Sequence, residues 1–144
     1  MTKLYIDIDG VLLTKKNTKA AIGAEEFINY AIEHFECYWL TTHCRDRSVD
    51  SLLNMMSQYF SPPALSIFKR IRPSVWNTLK TEGIDFSSPF YWLDDYVFEA
   101  EKEILRKHNS LDRLILVNLV NGPNLPNVLD IIKNSSFESF KTLT

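Results

Sequence analysis

The stretch Lys3-Leu4-Tyr5-Ile6-Asp7-Ile8-Asp9-Gly10 decides how the rest of the chain is interpreted. Its apolar and aromatic residues alternate as in a buried β-strand, and the strand runs into two carboxylates, Asp7 and Asp9, before Gly10 ends it. Ligands of open α/β sheets bind at the carboxyl ends of the strands. The stretch therefore predicts a first strand that delivers two acidic side chains to a ligand-binding edge.

Helical and strand patterns alternate about five times along the chain. Apolar residues have helical spacing at 24–35, 46–60 and 97–108, and shorter helices are expected at 73–82 and 125–133. Short apolar runs predict strands at 37–41, 64–68, 90–93 and 114–117, with the strand at 64–68 on an edge. The alternation predicts an α/β fold with a parallel sheet of about five strands and right-handed crossovers.

The composition indicates one domain that spans residues 1–144. The chain has 144 residues, of which 45% are hydrophobic, and a formal net charge of −2 at pH 7. This length suits a single hydrophobic core, and the near-neutral charge argues against a nucleic-acid partner. No apolar run approaches the ~20 residues that a membrane span needs. The two cysteines, Cys37 and Cys44, form no disulfide framework, which favours a location in the reducing cytoplasm.

Polar side chains end three of the predicted strands. They are Asp7 and Asp9 after the first strand, Thr41 and Thr42 after the second, and Asp94 and Asp95 after the strand at 90–93. These strand ends are expected to meet at one edge of the parallel sheet, although they are far apart in the sequence. Four carboxylates gathered there would repel one another unless a cation lay among them. Oxygen ligands without histidine or cysteine favour Mg²⁺.

Four segments of the chain, taken in order, resemble the motifs of the haloacid dehalogenase-like (HAD) superfamily. The first motif is matched by residues 4–12, and the second by Tyr38-Trp39-Leu40-Thr41. The third motif is a lysine, for which Lys80 is the better candidate and Lys69 the rival, and the fourth is matched by Tyr91-Trp92-Leu93-Asp94-Asp95. The resemblance covers roughly residues 3–118 and implies a Rossmann-like, three-layer fold with the strand order 5-4-1-2-3.

The resemblance also implies phosphoryl-transfer chemistry and a role for each matched residue. Asp7 would attack phosphorus and form an aspartyl-phosphate, and Asp9 would protonate the leaving group and then activate water. Thr41 would hydrogen-bond a phosphoryl oxygen, and Lys80 would neutralise charge on the nucleophile and the phosphate. Mg²⁺ would be held by Asp7, the backbone carbonyl of Asp9, Asp94 and Asp95. These roles imply a Mg²⁺-dependent phosphatase acting on a phosphorylated substrate.

Several side chains are candidates for the substrate side of this site. Thr42 and Arg45 directly follow the second strand, and Thr42 is also the alternative to Thr41 as the phosphoryl partner. His43 and Arg72 are further candidates, and Arg45 is preferred over them because it closely follows the second motif and arginine suits bidentate recognition of phosphate. Trp76 and Pro89-Phe90 are candidates for an aromatic surface beside the opening.

The spacing of the motifs leaves little room for a lid. The connections at 11–23 and about 61–73 are each shorter than the roughly 40 residues of a separately folded module. The resemblance therefore implies a capless member of the superfamily with an open site.

Two other functions are compatible with clustered acids on a parallel sheet. A receiver-like signalling module also uses aspartates, a threonine and a lysine, but its acidic pair follows the first strand and its phospho-acceptor the third, unlike the order here. The second alternative is a non-catalytic phosphate- or ligand-binding regulatory protein. The sequence selects neither a physiological substrate nor an oligomeric state, and residues 119–144 lie outside the resemblance.

Overall fold

The computed structural model describes residues 1–44 and 48–143, with side chains described as far as residue 135. Within these residues, five strands form one parallel sheet: β1 (Lys3–Ile6), β2 (Glu36–Trp39), β3 (Arg72–Pro73), β4 (Phe90–Asp94) and β5 (Leu114–Leu116). Their spatial order is β3-β2-β1-β4-β5, which is 5-4-1-2-3 when it is read from the β5 edge. The predicted α/β class and parallel sheet are confirmed.

Five α-helices connect the strands or follow them in the described part of the chain. They are α1 (Ala24–His34), α2 (Asp50–Met56), α3 (Pro62–Phe68), α4 (Glu99–Lys107) and α5 (Leu125–Leu143). Two short 3₁₀ helices are found at Lys80–Gly83 and Leu111–Arg113.

Helices cover both faces of the sheet, which gives the molecule three layers. On one face, Leu4 and Ile6 of β1 pack in a cluster with apolar residues of α1, α2, α3 and α5. On the other face, Tyr5 and Trp92 pack with Leu105 of α4. Successive side chains of a strand point to opposite faces, so β1 is buried on both sides, as strands of parallel sheets usually are.

The carboxyl ends of β1, β2 and β4 lie side by side. Ile6 is aligned with Trp39 of β2 and with Leu93 of β4. The N–H of Asp7 donates to the carbonyl of Leu93 at 3.0 Å, and the N–H of Leu40 donates to the carbonyl of Ile6 at 2.9 Å. The residues that follow these three strands therefore start at the same level of the sheet.

The segment Ala64–Phe68, which we expected to be the third strand, is part of helix α3. Ser61 precedes this helix, and its hydroxyl accepts a hydrogen bond from the N–H of Ala64 at 3.4 Å. Pro62 occupies the first turn, where its fixed φ suits a helix and its missing N–H is not needed. The third strand is instead Arg72–Pro73, which pairs with Tyr38 and Trp39 of β2.

The helix expected at 73–82 is also absent from the described structure. Pro73 belongs to β3, and of this segment only Lys80–Glu82 is helical, in the 3₁₀ turn at Lys80–Gly83. The carboxylate of Glu82 accepts hydrogen bonds from the backbone N–H groups of Asn77, Thr78 and Leu79. Such side-chain-to-backbone bonds compete with helix formation, and here they close a compact turn.

The remaining helices differ from their predicted bounds mainly in length. The segment expected to be helical over 46–60 forms α2 only at Asp50–Met56, and its first two residues lie outside the described part. Helix α5 begins at Leu125 as expected but continues to Leu143.

The connections that flank the sheet edge are loops. Residues 11–23 contain isolated bridges, one of them between Leu13 and Ala20, and residues 74–89 contain the single 3₁₀ turn at Lys80–Gly83. Both segments are fully described, and neither forms a separate folded module. Among the described residues, no helix combines the length and the apolar character needed to cross a bilayer.

Candidate functional site

Three carboxylates gather at the carboxyl edge of the sheet. Asp7 directly follows β1, Asp94 is the last residue of β4, and Asp95 comes next. Each side chain places one oxygen within 4.8 Å of an oxygen of the other two. Asp7 and Asp94 are buried, at 6% and 1% exposure. The predicted convergence of the first and fourth strands therefore produces a compact acidic group, which we call the carboxylate cluster (Asp7, Asp94 and Asp95).

Lys80 is the cation that contacts this cluster from the turn after β3. Its Nζ atom donates to Oδ2 of Asp94 at 2.7 Å and lies 3.3 Å from Oδ1 of Asp7. Lys69, the rival candidate, is exposed immediately after α3. The structure thus brings Lys80, and not Lys69, to the acids, while the catalytic role of Lys80 stays a prediction.

The protonation of these groups is governed by burial and by their mutual charges. Burial raises the pKa of Asp7, although Lys80 opposes this shift. Burial, together with the negative charge of Asp7, raises the pKa of Asp94 to about 7, again against the influence of Lys80. Burial also disfavours the charged form of Lys80, but the two carboxylates outweigh it and raise the pKa of the ammonium group. The cluster is therefore short of positive charge.

The residues of the carboxylate cluster fit a Mg²⁺ ion. All three offer hard oxygen donors, and the group contains neither histidine nor cysteine, which is the donor set that Mg²⁺ prefers. A divalent cation would supply the positive charge that one ammonium group provides only in part. The carboxylate of Asp9, a predicted metal ligand through its backbone carbonyl, is not one of the three, and that ligand stays a prediction.

Asp94 is oriented by its own backbone neighbourhood. Its Oδ1 atom accepts hydrogen bonds from the N–H groups of Asp95, at 2.8 Å, and Tyr96, at 3.2 Å. Its other oxygen faces Lys80. The two acids that end the fourth motif are thus held in a tight turn, and Oδ2 of Asp94 points toward the centre of the site.

Glu101 is a buried carboxylate that the sequence interpretation missed. It lies in the first turn of α4 at 3% exposure. Its Oε2 accepts the N–H of Lys80 at 2.7 Å, and its Oε1 accepts the N–H of Phe98 at 3.0 Å. One side chain therefore joins the turn that carries Lys80 to the start of α4. A glutamate on an amphipathic helix looks like a solvated residue, so the sequence pattern carries no signal for this contact.

Asp9 lies apart from the carboxylate cluster and is more exposed. Nearly half of its side chain, 48%, is accessible, and its Oδ2 lies 2.8 Å from Nε2 of His43. Asp9 also lines the same cavity as the cluster. This position leaves the Asp9 carboxylate accessible from the cavity, in contrast to the buried Asp7.

The two threonines after β2 differ in accessibility. Thr41 is buried at 1% exposure, its Oγ1 accepts the N–H of His43 at 3.3 Å, and its carbonyl accepts the indole N–H of Trp76 at 3.2 Å. Thr42 is exposed and lines the cavity. The placement favours Thr42 as the hydroxyl that faces a ligand, whereas Thr41 holds the loop together. Arg45 lies outside the described residues.

A second lysine that the sequence did not single out reaches the site from the loop at 11–23. The Nζ atom of Lys15 lies 2.7 Å from Oδ2 of Asp95, and this hydrogen bond raises the pKa of Lys15. Asp95 also packs against Gly10, where φ is +80° and an added Cβ would collide with the Asp95 carboxyl group. The loop after β1 therefore packs closely against Asp95, the residue that follows β4.

A cavity of about 290 Å³ opens directly above these groups. Its lining comprises Asp7, Asp9, Lys15, Thr42, Trp76, Thr78, Lys80, Asp94, Asp95, Tyr96, Phe98 and Glu101. A neighbouring cavity of about 370 Å³ shares Lys15 and Asp95 with it and is walled by Val117 and Asn118. The polar end of the first cavity holds the acids and lysines, and its rim holds aromatic rings.

Two other charged residues lie away from this cavity. Arg72 is on β3 and pairs with Glu36 at 3.4 Å, and Glu99 pairs with Arg106 on the exposed side of α4 at 3.0 Å. Phe90, a candidate for an aromatic surface, is buried in the core at 2% exposure, whereas Trp76 does line the cavity.

No family model, curated protein or solved structure matches this chain.

Proposed function

We propose that this protein is a Mg²⁺-dependent phosphatase that hydrolyses phosphomonoesters through an aspartyl-phosphate on Asp7. The observation that carries the proposal is the contact of Lys80 with both Asp7 and Asp94 inside a three-carboxylate cluster at the carboxyl edge of a parallel sheet. The order of the sequence motifs, which resembles that of the HAD superfamily, supports the same assignment.

The carboxylate cluster would hold the metal, with Asp7, Asp94 and Asp95 as carboxylate ligands. When bound, Mg²⁺ supplies positive charge beside the phosphoryl oxygens, where negative charge must be offset in the transition state. Lys80 would offset the same negative charge, because its ammonium group is held beside the site by two carboxylates.

The proposed reaction has two halves, with Asp7 as nucleophile and Asp9 as acid and then base. An oxygen of Asp7 bonds to phosphorus while the bond to the ester oxygen breaks, and the carboxyl group of Asp9 gives its proton to that oxygen. Asp9 then accepts a proton from water, whose oxygen attacks phosphorus and releases Asp7 and inorganic phosphate. The accessibility of Asp9 and its contact with His43 suit this exchange of protons with solvent.

The test is hydrolysis of p-nitrophenyl phosphate in the presence of Mg²⁺. Activity should disappear in the variant Asp7→Asn and on addition of EDTA, and excess Mg²⁺ should restore the activity lost to EDTA. Asp130→Asn, a change at an exposed position of α5, is the matched control and should retain the wild-type rate. Wild-type activity that survives Asp7→Asn would contradict the proposal, and phosphate binding without turnover would instead indicate the regulatory alternative.

The proposed setting is the reducing cytoplasm. Cys37 and Cys44 are both buried and form no disulfide bond within the described part of the chain, and burial raises the pKa of the Cys37 thiol to about 12. A thiol that stays protonated resists oxidation and takes no part in the proposed chemistry.

A further inference from the structure

Three aromatic side chains line the cavity that also contains the carboxylate cluster. Tyr96 and Phe98 are large apolar side chains that remain 65% and 55% exposed, and their rings make an edge-to-face contact with centroids 5.5 Å apart. Trp76 lies on the lining of the same cavity. We call these three residues the aromatic wall.

The aromatic wall is held by the same groups that organise the polar end of the site. The N–H of Tyr96 donates to Asp94, and the N–H of Phe98 donates to Glu101, whose other oxygen binds the backbone of Lys80. The rings are therefore attached at fixed backbone positions beside the proposed reaction centre. A fixed ring loses little conformational entropy when a ligand stacks on it.

The charged groups of the cavity limit what a ligand could carry besides its phosphoryl group. Lys80 is engaged by Asp7 and Asp94, and Lys15 is engaged by Asp95. Both lysines that line the cavity thus already have carboxylate partners. This balance favours a single phosphoryl group with an uncharged remainder, and the exposed rings favour a remainder that is flat and aromatic.

We propose that the aromatic wall binds a planar ring in the leaving group of the substrate, so that the preferred substrates are phosphomonoesters of nucleosides or of phenols. This inference rests on the proposed phosphatase function and adds the substrate class. A base or an aryl ring stacks against the wall while its phosphoryl group reaches the carboxylate cluster. An aliphatic phosphomonoester occupies the polar end alone and leaves the rings in water.

The test compares two substrates with the same primary alkoxide leaving group, adenosine 5′-monophosphate and ribose 5-phosphate. We expect kcat/KM to be about tenfold higher for the nucleotide, which is the size of a typical stacking contribution. The variants Tyr96→Leu and Phe98→Leu remove a ring and keep apolar volume. Each should reduce kcat/KM for the nucleotide several-fold while that for ribose 5-phosphate stays constant. Ile131→Ala, at an exposed position of α5, should change neither value.

Equal kcat/KM for the two substrates, or an equal loss for both in the ring variants, would overturn the aromatic wall and leave the phosphatase proposal intact. If the wild-type protein hydrolyses neither these two substrates nor p-nitrophenyl phosphate, the proposed function fails. Calorimetric titration with both compounds then still tests whether the aromatic wall binds the ring of the ligand. Tighter binding of the nucleotide that is lost in Tyr96→Leu supports it, and equal dissociation constants refute it.

Phenyl phosphate and methyl phosphate distinguish the two sources of the ring. Their dissociation constants are measured by calorimetry on Asp7→Asn, so that leaving-group reactivity does not enter. A preference for phenyl over methyl phosphate that exceeds the preference for nucleotide over ribose 5-phosphate indicates aryl phosphates, and the reverse indicates nucleotides. Absence of both preferences overturns the proposal.

Discussion

Glu101 shows how much of this site depends on a residue with no part in the proposed chemistry. Its two carboxylate oxygens bind two backbone N–H groups from separate segments, at Lys80 and Phe98. Hydrogen bonds that involve a charged group contribute more than neutral ones, and a buried donor left without a partner is costly. Glu101 is therefore a positioning residue that fixes the backbone of the proposed catalytic lysine.

We predict that Glu101→Ala lowers the free energy of unfolding by about 1–3 kcal/mol, because two N–H donors in partly buried hydrogen bonds lose their acceptor. Urea denaturation followed by circular dichroism measures this change. Glu99→Ala is the matched control on the same helix, where the glutamate forms an exposed ion pair with Arg106, and it should change stability by less than about 1 kcal/mol. Equal effects of the two substitutions would contradict the role assigned to Glu101.

Position 10 requires glycine for two reasons, its left-handed backbone conformation and its contact with Asp95. A Cβ at this position would strain a residue with φ of +80° and would collide with Asp95. We predict that Gly10→Ala lowers stability by about 1–3 kcal/mol and weakens Mg²⁺ binding because Asp95 is displaced.

Gly23→Ala separates the two effects of the Gly10 substitution. Gly23 has a similar φ of +78°, but an added Cβ there would approach only Pro126, at 3.1 Å, and no residue of the carboxylate cluster. Both variants should lose stability, and calorimetric titration should show weaker Mg²⁺ binding for Gly10→Ala alone. Unchanged Mg²⁺ affinity in Gly10→Ala would show that Asp95 is not a ligand.

At the scale of secondary-structure elements, the sequence pattern predicted the central strands and the helices with clear apolar spacing. It did not predict the shortest elements. Strands β1 and β4 are apolar runs that end in acid, and helices α1 and α4 have clear one-sided apolar spacing. Strand β3 is only Arg72–Pro73, too short for any periodicity to register. The segment of helix α3 has the short apolar run that is typical of a strand, and its helical character is indicated only by the start signal, Ser61 followed by Pro62.

The same distinction explains which site residues could be foreseen. Asp7, Asp94 and Asp95 were predictable because strand ends of a parallel sheet meet at one edge. Lys80 was found only through the resemblance, since its position depends on a turn without regular structure. Lys15 and Glu101 were missed because a loop lysine and a helix glutamate look like ordinary surface charges until tertiary contacts are known.

Helix α3, which the sequence pattern predicted to be a strand, is stabilised at its start by Ser61. The hydroxyl of Ser61 accepts the N–H of Ala64 and donates to Glu25 of α1 at 2.6 Å. Ser61→Ala should reduce the free energy of unfolding by about 1 kcal/mol, as loss of a helix N-cap typically does. Ser66→Ala, at an exposed position within the same helix, should be nearly neutral in the same urea titration. A neutral Ser61→Ala would show that the cap does not stabilise α3.

At the scale of the whole molecule, the buried carboxylates lie together at the carboxyl edge of the sheet, where they outnumber the buried ammonium groups. The core on both faces is apolar, whereas the carboxylate cluster holds two buried acids against the ammonium group of Lys80. A ligand that binds the folded state alone stabilises it by mass action. The proposed metal should therefore act as a stabiliser of the whole fold.

We predict that 10 mM MgCl₂ raises the melting temperature by about 4 °C if the dissociation constant is about 1 mM, measured by differential scanning calorimetry. Asp94→Asn should abolish the increase, and Asp130→Asn should retain it. NaCl at the same ionic strength controls for general screening of charge. An increase of equal size in Asp94→Asn would place Mg²⁺ binding elsewhere on the protein.

The turn that carries Lys80 is closed on itself by Glu82 and fastened to α4 by Glu101. Its position relative to the acids therefore does not depend on the length of chain between the turn and β4. Residues 86–89 are held separately at the opposite, amino end of the sheet, where Phe86 packs against Phe90 and the carbonyl of Pro89 accepts the N–H of Lys3. The lysine and the acids are therefore joined by contacts on the cavity side of the sheet, independently of the contacts that anchor the entry into β4.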